Sequence, residues 1–420
     1  MTPRKPHSGE YDAVVGLEPK DGGQSPSFAY ALAKFTYELT PTGLKAAASE
    51  PLVFDIYGDE SLTPRLPPGS DYWVTKRATD VIVLGSAFTL EKKPARTLEV
   101  SVRVADRVKR IAVFGRRAIT ARSGHLAIGE PEPFSEMPIS YVYAYGGLDP
   151  RVPIPEADRD EYFQHAAAGV AMDHPGLYPR NPIGKGYLVY PEPLGGMEMP
   201  NLEDPDDLLG VDRLVAGEPE LWYRQPLPWS LEWTNWLMYP RQLFLGFDAW
   251  FPCPDPAQLP EVKRGFLGAR AAAPGSERQW PPDEGYQEAS FGMIFRHELG
   301  GAPVQVSGMS PERPELGFAV PTAPAIDIDV DGWHERCAAR LTQLVIRPLE
   351  NKVNAIWLAK TSGLPRVLLP GIHANIRLAA TINEGEPVRY ACPTPIRERL
   401  AGARAASGAG GSTSSSEPPQ

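Results

Sequence analysis

The chain has little of what stabilises small or secreted folds through covalent or metal bonds. It contains three cysteines in 420 residues, Cys253, Cys337 and Cys392, and no pair has CxxC spacing. An odd number of widely separated cysteines supports neither a disulfide framework nor a zinc site. We therefore expect a reduced, cytoplasmic protein.

Long apolar runs and an excess of positive charge are also missing. No run approaches the roughly 18 apolar residues that a membrane-spanning helix needs, and residues 1–24 lack the apolar core of a secretory signal. The formal net charge is −10 and the isoelectric point is near 5.4. Nucleic acids and anionic membranes both attract clustered Lys and Arg. We expect neither as a partner, and a basic or neutral protein fits better.

Signatures of catalysis and of ligand binding are incomplete. The seven histidines are scattered, and no GxSxG elbow or HExxH pair occurs. Gly184 and Lys185 resemble the end of a phosphate-binding loop, but Gly186 replaces the Ser or Thr that would hold magnesium. We predict no catalytic residue and no cofactor.

An acidic repeat at 327–332 starts like a calcium loop. Its twelfth position is Ala338, where such a loop requires a bidentate Glu. Ile326, Ile328 and Val330 alternate as in a strand, which favours a strand edge with solvated carboxylates. We predict no metal site.

Paired acids keep an unrecognised hydrolase open as an alternative. Glu198 with Glu203, or Asp204 with Asp206 and Asp207, could share acid and base work. Solvated loop charge is the favoured interpretation of these residues.

Proline and glycine are abundant, with 47 Pro and 39 Gly. This composition disfavours long helices. We predict a mainly β protein with antiparallel, sandwich-like sheets, long ordered loops rich in Pro and Gly, and few short helices, near 161–172 and 333–339. Strands are predicted at 27–40, 51–57, 81–88, 98–104, 108–114, 291–295, 304–306, 326–330, 340–346, 353–359 and 376–381.

Two of these runs predict a hairpin. Residues 98–104 alternate strictly, and 108–114 follow after three residues. A parallel pair would need a much longer crossover, so an antiparallel hairpin is the simpler arrangement. Residues 347–352 are predicted as a second hairpin loop.

We divide the chain into four parts. We predict a flexible lead-in at 1–26 and a β-rich domain at 27–330, with an aromatic loop region at 131–260. A C-terminal β extension at 331–400 would pack on the core. The Gly-, Ala- and Ser-rich residues 401–420 are predicted to be disordered.

Tryptophans concentrate in the loop region. As core they would bury large areas, and as surface they would supply anchors for a protein or platforms for a sugar. Core is the favoured interpretation, with one edge of the cluster open to a partner. The candidate partner surface is Trp222, Trp229, Trp233, Trp236 and Trp250.

Three local phrases combine special-backbone residues with aromatic or aliphatic neighbours: residues 143–147 (Tyr-Ala-Tyr-Gly-Gly), 181–187 (Asn-Pro-Ile-Gly-Lys-Gly-Tyr) and 200–203 (Pro-Asn-Leu-Glu). Each predicts a sharp turn with packed flanks. Such turns indicate a shaped surface more than a reaction centre.

These phrases, with 70–76, 79–85, 113–117 and 133–139, resemble a family of uncharacterised-domain proteins encoded beside type VI secretion genes. The resemblance covers about residues 25–320, and 317–321 is its last element. Arg77 and Arg116 depart from it, and residues 335–400 lie outside it. The family positions, structural or partner-binding, are Asp71, Lys76, Asp80, Gly85, Phe134, Pro138, Tyr145, Gly146, Gly147, Asn181, Pro182, Gly184, Gly186, Pro200, Asn201 and Glu203.

The resemblance implies a cytoplasmic, non-catalytic adaptor or chaperone. It would bind a type VI secretion effector, or its spike-tip domain, and help to load it onto the secretion apparatus. A carbohydrate-binding or structural component is a further alternative. An adaptor predicts a groove lined by aromatic residues, whereas an enzyme predicts His or carboxylate groups that converge in a pocket.

Overall fold

The chain is mainly β, as predicted. The computed structural model describes residues 11–19, 26–53, 71, 76, 78–122, 125–152, 176, 178, 181, 183–188, 195–213, 226–233, 287–290, 292–364, 378–384 and 388–389.

Twenty-two strands occur among these residues. The strands of the first half are β1 (Tyr11–Pro19), β2 (Pro26–Thr40), β3 (Gly43–Ala47), β4 (Thr79–Val83), β5 (Ser86–Phe88), β6 (Thr97–Val104), β7 (Arg107–Phe114), β8 (Ile119–Arg122), β9 (His125–Ile128), β10 (Glu136–Pro138) and β11 (Tyr145–Gly146). Those of the second half are β12 (Lys185–Gly186), β13 (Leu202–Glu203), β14 (Ile294–Phe295), β15 (Pro303–Ser307), β16 (Glu315–Ala319), β17 (Ile326–Val330), β18 (Trp333–Cys337), β19 (Ala339–Arg347), β20 (Lys352–Lys360), β21 (Leu378–Ile382) and β22 (Val388–Arg389). Single 3₁₀ turns lie at Leu90–Lys92, Tyr141–Tyr143, Val211–Arg213 and Pro348–Glu350.

A seven-stranded sheet forms the centre of the fold. Its order is β1-β2-β20-β19-β4-β14, and β3 pairs with β2 beside this path. All its pairs are antiparallel except β19 with β4. The sheet joins strands from both sides of residue 330, where the sequence analysis placed a domain boundary.

Two further sheets pack around it. The five-stranded sheet has the order β13-β7-β6-β15-β16, and the four-stranded sheet has the order β18-β17-β21-β22. Small pairs are formed by β5 with β10, β8 with β9, and β11 with β12, the last being parallel. Buried apolar residues from all three large sheets form one continuous core, and a smaller core surrounds Tyr145, Tyr178 and Tyr187.

Several sequence predictions are confirmed. β6 and β7 form the antiparallel hairpin expected at 98–114, and β19 and β20 form the one expected around 347–352. Of the strand predicted at 51–57, residues 51–53 are not in a strand. The chain instead pairs β3 with β2. The rest of 51–57, the helix predicted at 161–172 and the tail at 401–420 lie outside the described residues.

The helix predicted at 333–339 is wrong. Residues 333–337 form β18, which pairs with β17. Asp331 and Gly332 connect the two strands with φ values of 51° and 87°. A type I′ hairpin turn requires positive φ at both central residues. The Asp-Gly pair that resembled part of a calcium loop is therefore a hairpin turn.

A β-bulge in β19 changes which of its residues point to each face of the central sheet. Leu341 lies opposite Trp357 and Gln343 lies opposite Ile356, so Thr342 is the extra residue. Directly opposed residues point to the same face, and neighbours along a strand point to opposite faces. The bulge therefore turns Leu341 to the face of Trp357 and Gln343 to the other face.

No helix among the described residues is long and apolar enough to cross a membrane.

Candidate functional site

Charged and polar residues form a line across one face of the central sheet. Asp12, Lys34, Ile356, Gln343 and Asp80 are successive register partners on β1, β2, β20, β19 and β4. Opposed residues share a face, so the four polar side chains form one row, interrupted by Ile356. We call these four residues the charged row and their side of the sheet the row face. All four are at least 95% buried.

Loop segments cover the row through hydrogen bonds and ion pairs. Lys34 Nζ lies 2.9 Å from the Asp71 carboxylate, which also accepts a 2.8 Å hydrogen bond from the Val53 backbone N–H. The Leu52 N–H donates to Asp12 at 2.8 Å. Asp71 is thus a family position that makes buried contacts between loops and the sheet, and Lys76 is another.

Lys76 lies between two carboxylates at the other end of the row. Its Nζ is 2.7 Å from Asp80 and 2.7 Å from Glu288. Gln343 donates to Glu288 at 2.7 Å, and the Glu288 N–H donates to Asp80 at 2.9 Å. These groups are at least 98% buried. The Lys76 ammonium thus connects β4 to the segment 287–290, and Gln343 of β19 joins them through Glu288.

One positive charge cannot neutralise both carboxylates. Burial would lower the pKa of Lys76, but Asp80 and Glu288 raise it above its ordinary value. Burial raises the pKa of Glu288 to about 7, with Asp80 opposing its ionisation and Lys76 favouring it. Below about pH 7, Glu288 therefore holds the extra proton that leaves the cluster neutral.

The first two phrases bind each other through main-chain groups. Asn181 donates from its side-chain amide to the carbonyls of Tyr141 and Tyr145, each at 2.9 Å. Gly147 N–H donates to the Asn181 carbonyl at 2.8 Å. Gly147 has a φ of 86°, and a Cβ there would lie 2.1 Å from the Gly184 carbonyl oxygen. Only glycine allows this close approach.

The third phrase is held by an arginine. Glu203 pairs with Arg117 and accepts a 2.8 Å hydrogen bond from the Leu209 N–H. Asn201 donates to the Phe114 carbonyl at 2.9 Å. Glu203 is 2% exposed, so this carboxylate, considered above for acid and base work, has a structural environment.

The remaining family positions also make internal contacts. Gly85 accepts a 3.0 Å hydrogen bond from the Ile139 N–H. Phe134 forms a bridge with Ala95, and Pro138 lies opposite Ser86. Gly146 and Gly186 are opposed in the parallel pair of β11 and β12. A Cβ on Gly184 would lie 2.3 Å from Asn181 Nδ2, and one on Gly186 2.7 Å from Pro200 Cδ. Pro182 lies outside the described residues.

Two of the five candidate tryptophans are described. Trp229 is 6% exposed, its Nε1–H donates to the Arg110 carbonyl at 2.7 Å, and Lys109 Nζ lies 4.4 Å from the ring centroid. Trp233 is partly buried against the core. The structure thus places Trp229 in the interior, which is the core alternative. Trp222, Trp236 and Trp250 lie outside the described residues.

A concave surface lies on the other side of the central sheet, which we call the cleft face. Phe35, Tyr37 and Trp357 line a cleft of about 550 Å³, a volume typical of ligand sites. One wall begins at Gly43 and Leu44 of β3, and the other is the linker 320–325 between β16 and β17. We call this the aromatic cleft. No charged side chain occurs among the described residues that line it.

A second cleft of about 250 Å³ adjoins it. Both clefts are bordered by Trp357, Thr322 and Ala323. The second cleft also has Phe295 and Leu341 in its lining, together with exposed charged groups at 296–298. Sequence reasoning missed both clefts because Trp357 and the linker meet only through the pairing of distant strands.

The described residues contain no group of three or more His, Cys, Asp or Glu side chains placed to hold a metal ion. The pKa of Glu288 is raised to about 7, and the pKa of Glu50 is lowered to about 2 by Lys352, Asn354 and Arg347, which outweigh its burial. Neither carboxyl group lines one of the two clefts.

Comparison with known proteins gives a family for the chain. Neither curated proteins nor solved structures gave a match. A family model described as "Uncharacterized protein conserved in bacteria (DUF2169)" matches residues 25–358. The match extends past the limit of 320 that we expected and includes most of β20, which carries Trp357. The chain belongs to the DUF2169 family of uncharacterised bacterial proteins.

Proposed function

We propose that the chain is a non-catalytic cytoplasmic adaptor of type VI secretion. It binds an effector protein, or the spike-tip domain that carries the effector, and helps to load it onto the secretion apparatus. The finer assignment within the DUF2169 family comes from the resemblance of the phrases at 143–147, 181–187 and 200–203.

The observation that carries the proposal is the separation of charge from the concave surface. The charged family positions Asp71, Lys76 and Asp80 are buried and bind loops to the sheet. The aromatic cleft has a neutral lining. This arrangement supports binding through shape and apolar contact, which suits recognition of another protein.

A secretion assay tests the proposal. The gene for this chain is deleted, and the effector encoded beside it is measured in the culture supernatant together with the secreted tube protein. We expect the effector to disappear from the supernatant while the tube protein remains, and a plasmid copy of the chain to restore the effector. Unchanged effector secretion in the deletion strain would refute the adaptor function.

A binding assay provides a second, independent readout. The full chain and the neighbouring effector are co-expressed and purified through a tag on the effector. We expect a complex that survives gel filtration. Absence of a complex at low salt, where charge steering is strongest, would contradict direct binding.

A further inference from the structure

The aromatic cleft has a floor with an unsatisfied hydrogen-bond donor. Trp357 is 3% exposed and borders the cleft, and its indole Nε1–H has no hydrogen-bond partner among the described residues. A buried donor without an acceptor is costly, and most native structures avoid it. The nitrogen has almost no exposed surface, so the indole must turn toward the cleft before a carbonyl oxygen of an occupant can accept from it and remove this cost.

The walls of the aromatic cleft are already fixed without an occupant. The linker 320–325 is held at its start by hydrogen bonds between Val320 and residues 301–302, of 2.9 Å each. At its end, Ala325 N–H donates to the Asn383 side chain at 3.0 Å, and Asn383 N–H donates to the Ala325 carbonyl at 2.9 Å. A preformed cleft avoids much of the ordering cost of binding.

The lining determines the charge of the occupant. Aromatic rings, two prolines of the linker (Pro321 and Pro324) and the neutral polar groups of Thr322 and Asn383 face the cleft. A charged group would lose its hydration here without gaining a countercharge from the described lining. The occupant is therefore uncharged where it contacts the cleft, although the chain as a whole is acidic.

An extended peptide meets these requirements. It presents a backbone carbonyl at every residue, and aromatic-lined grooves with a preformed shape are typical receptors for extended apolar or proline-containing segments. The geometry points to the aromatic cleft as a docking site for an uncharged, extended peptide segment with apolar side chains, whose backbone carbonyl accepts from Trp357 Nε1–H. That this segment belongs to the secretion effector rests on the proposed function.

One substitution tests the cleft without disturbing the core. Ala323 is exposed and borders both clefts, so Ala323→Arg places a charge and added volume in the docking site. The matched control is Ala127→Arg, at an alanine on β9 that is also exposed and lines neither cleft. Trp357→Phe removes the indole donor and keeps an aromatic ring.

The probe is a phage library of random short peptides selected on the full wild-type chain. We expect the selected peptides to share an uncharged apolar core. Synthetic copies should bind the wild type and Ala127→Arg equally, and Ala323→Arg at least about tenfold more weakly, a loss of ~1.4 kcal/mol. Trp357→Phe should also weaken binding while its unfolding remains cooperative. Selected peptides that bind Ala323→Arg as well as the wild type, or that carry a conserved charge in the core, would overturn the proposal.

Cello- and chito-oligosaccharides are tested in parallel, because aromatic clefts also bind sugars. Binding of a sugar that Ala323→Arg abolishes, without any cleft-dependent peptide, would replace the peptide proposal.

The two proposals fail separately. If Ala323→Arg supports normal effector secretion in a strain that depends on the chain, the cleft assignment is wrong and the adaptor function stands. If peptides bind the cleft but deletion leaves secretion unchanged, the adaptor function is wrong and the cleft assignment stands.

Discussion

Glu288 makes the stability of the fold depend on pH. Burial raises its pKa from 4.5 to about 7 in the folded chain, so the folded state keeps a proton that the unfolded chain releases. Its stabilising contribution is complete below pH 4.5 and is lost as the pH rises through about 7. The folded chain thus becomes less stable toward alkaline pH at this site.

Glu288→Gln should remove this dependence. The amide is neutral at every pH and keeps an oxygen that can accept from Lys76 and Gln343. We expect little change in the free energy of unfolding below pH 4.5, and a gain of at most about 3 kcal/mol over the wild type above pH 7. Urea unfolding at both ends of this window measures the effect, with the exposed Glu312→Gln as control. Parallel pH profiles for Glu288→Gln and the wild type would contradict the assigned proton.

Substitutions of Gly147 and Gly196 distinguish the energetic cost of backbone strain from the cost of a steric contact. Their φ values are 86° and 88°, but a Cβ on Gly147 would lie 2.1 Å from a backbone oxygen, whereas one on Gly196 meets nothing within 4 Å. We expect Gly196→Ala to cost about 1 kcal/mol of unfolding free energy and Gly147→Ala about 3 kcal/mol or more. Urea midpoints measure both. Equal costs would show that the contact between the first two phrases is not tight.

The sequence identified some of the buried charged residues that attach loops to the central sheet and missed others. Asp71, Lys76 and Asp80 stood out in the sequence because they belong to family phrases. Asp12, Lys34 and Glu288 did not, since nothing in the local sequence distinguishes a charged residue that will be buried. Their partners come from distant parts of the chain, and only the register of the sheet brings them together.

The hairpin of β17 and β18 shows how a local signal can be misinterpreted. Asp331 and Gly332 are the turn, and the acidic residues before them lie on β17. The prediction of a short helix at 333–339 gave too little weight to this Asp-Gly pair, which is a strong hairpin signal between apolar runs.

Substitutions in this turn distinguish a hairpin from a calcium loop. Asp331→Asn keeps the turn preference and should change the unfolding free energy by less than about 0.5 kcal/mol. Gly332→Ala should cost about 1 kcal/mol because Gly332 has a φ of 87°. Thermal unfolding with and without added calcium measures both. A calcium-dependent increase in melting temperature that Asp331→Asn removes would restore the calcium-loop interpretation.

Strands with alternating patterns and short connections were predictable, and distant pairings were not. The β6–β7 hairpin follows from its own residues. The parallel pair of β4 with β19 joins Val81 to Leu344, and no local pattern at either strand indicates the other. The aromatic cleft depends on such distant pairings, so it could not be derived from the sequence.

The central sheet combines strands from two of the predicted parts of the chain. β19 and β20 connect β2 to β4 in the central sheet, although they follow the predicted boundary at 330. A protein ending at residue 330 would lack β19 and β20, the middle strands of this sheet. The residues of β2 and β4 on the row face and on the cleft face would then become exposed.

We therefore expect residues 1–330 alone to show no cooperative unfolding and to be digested rapidly by protease, while the full chain resists. Co-expression of residues 331–420 as a separate polypeptide should recover part of the protected material. Circular dichroism during heating and limited proteolysis measure both outcomes. A cooperative transition in residues 1–330 alone would show that the extension is dispensable for folding.

Even-numbered and odd-numbered residues of β20 point to opposite faces of the central sheet. Asn354, Ile356 and Leu358 point toward the buried charges and their covering loops, whereas Val353, Ala355 and Trp357 point toward the concave side. In an exhaustive mutational library scored for both cellular abundance and effector export, the even positions should change the two scores together. Some substitutions of Trp357 should keep normal abundance and lose export. Alternate residues of one strand would then contribute to folding and to recognition.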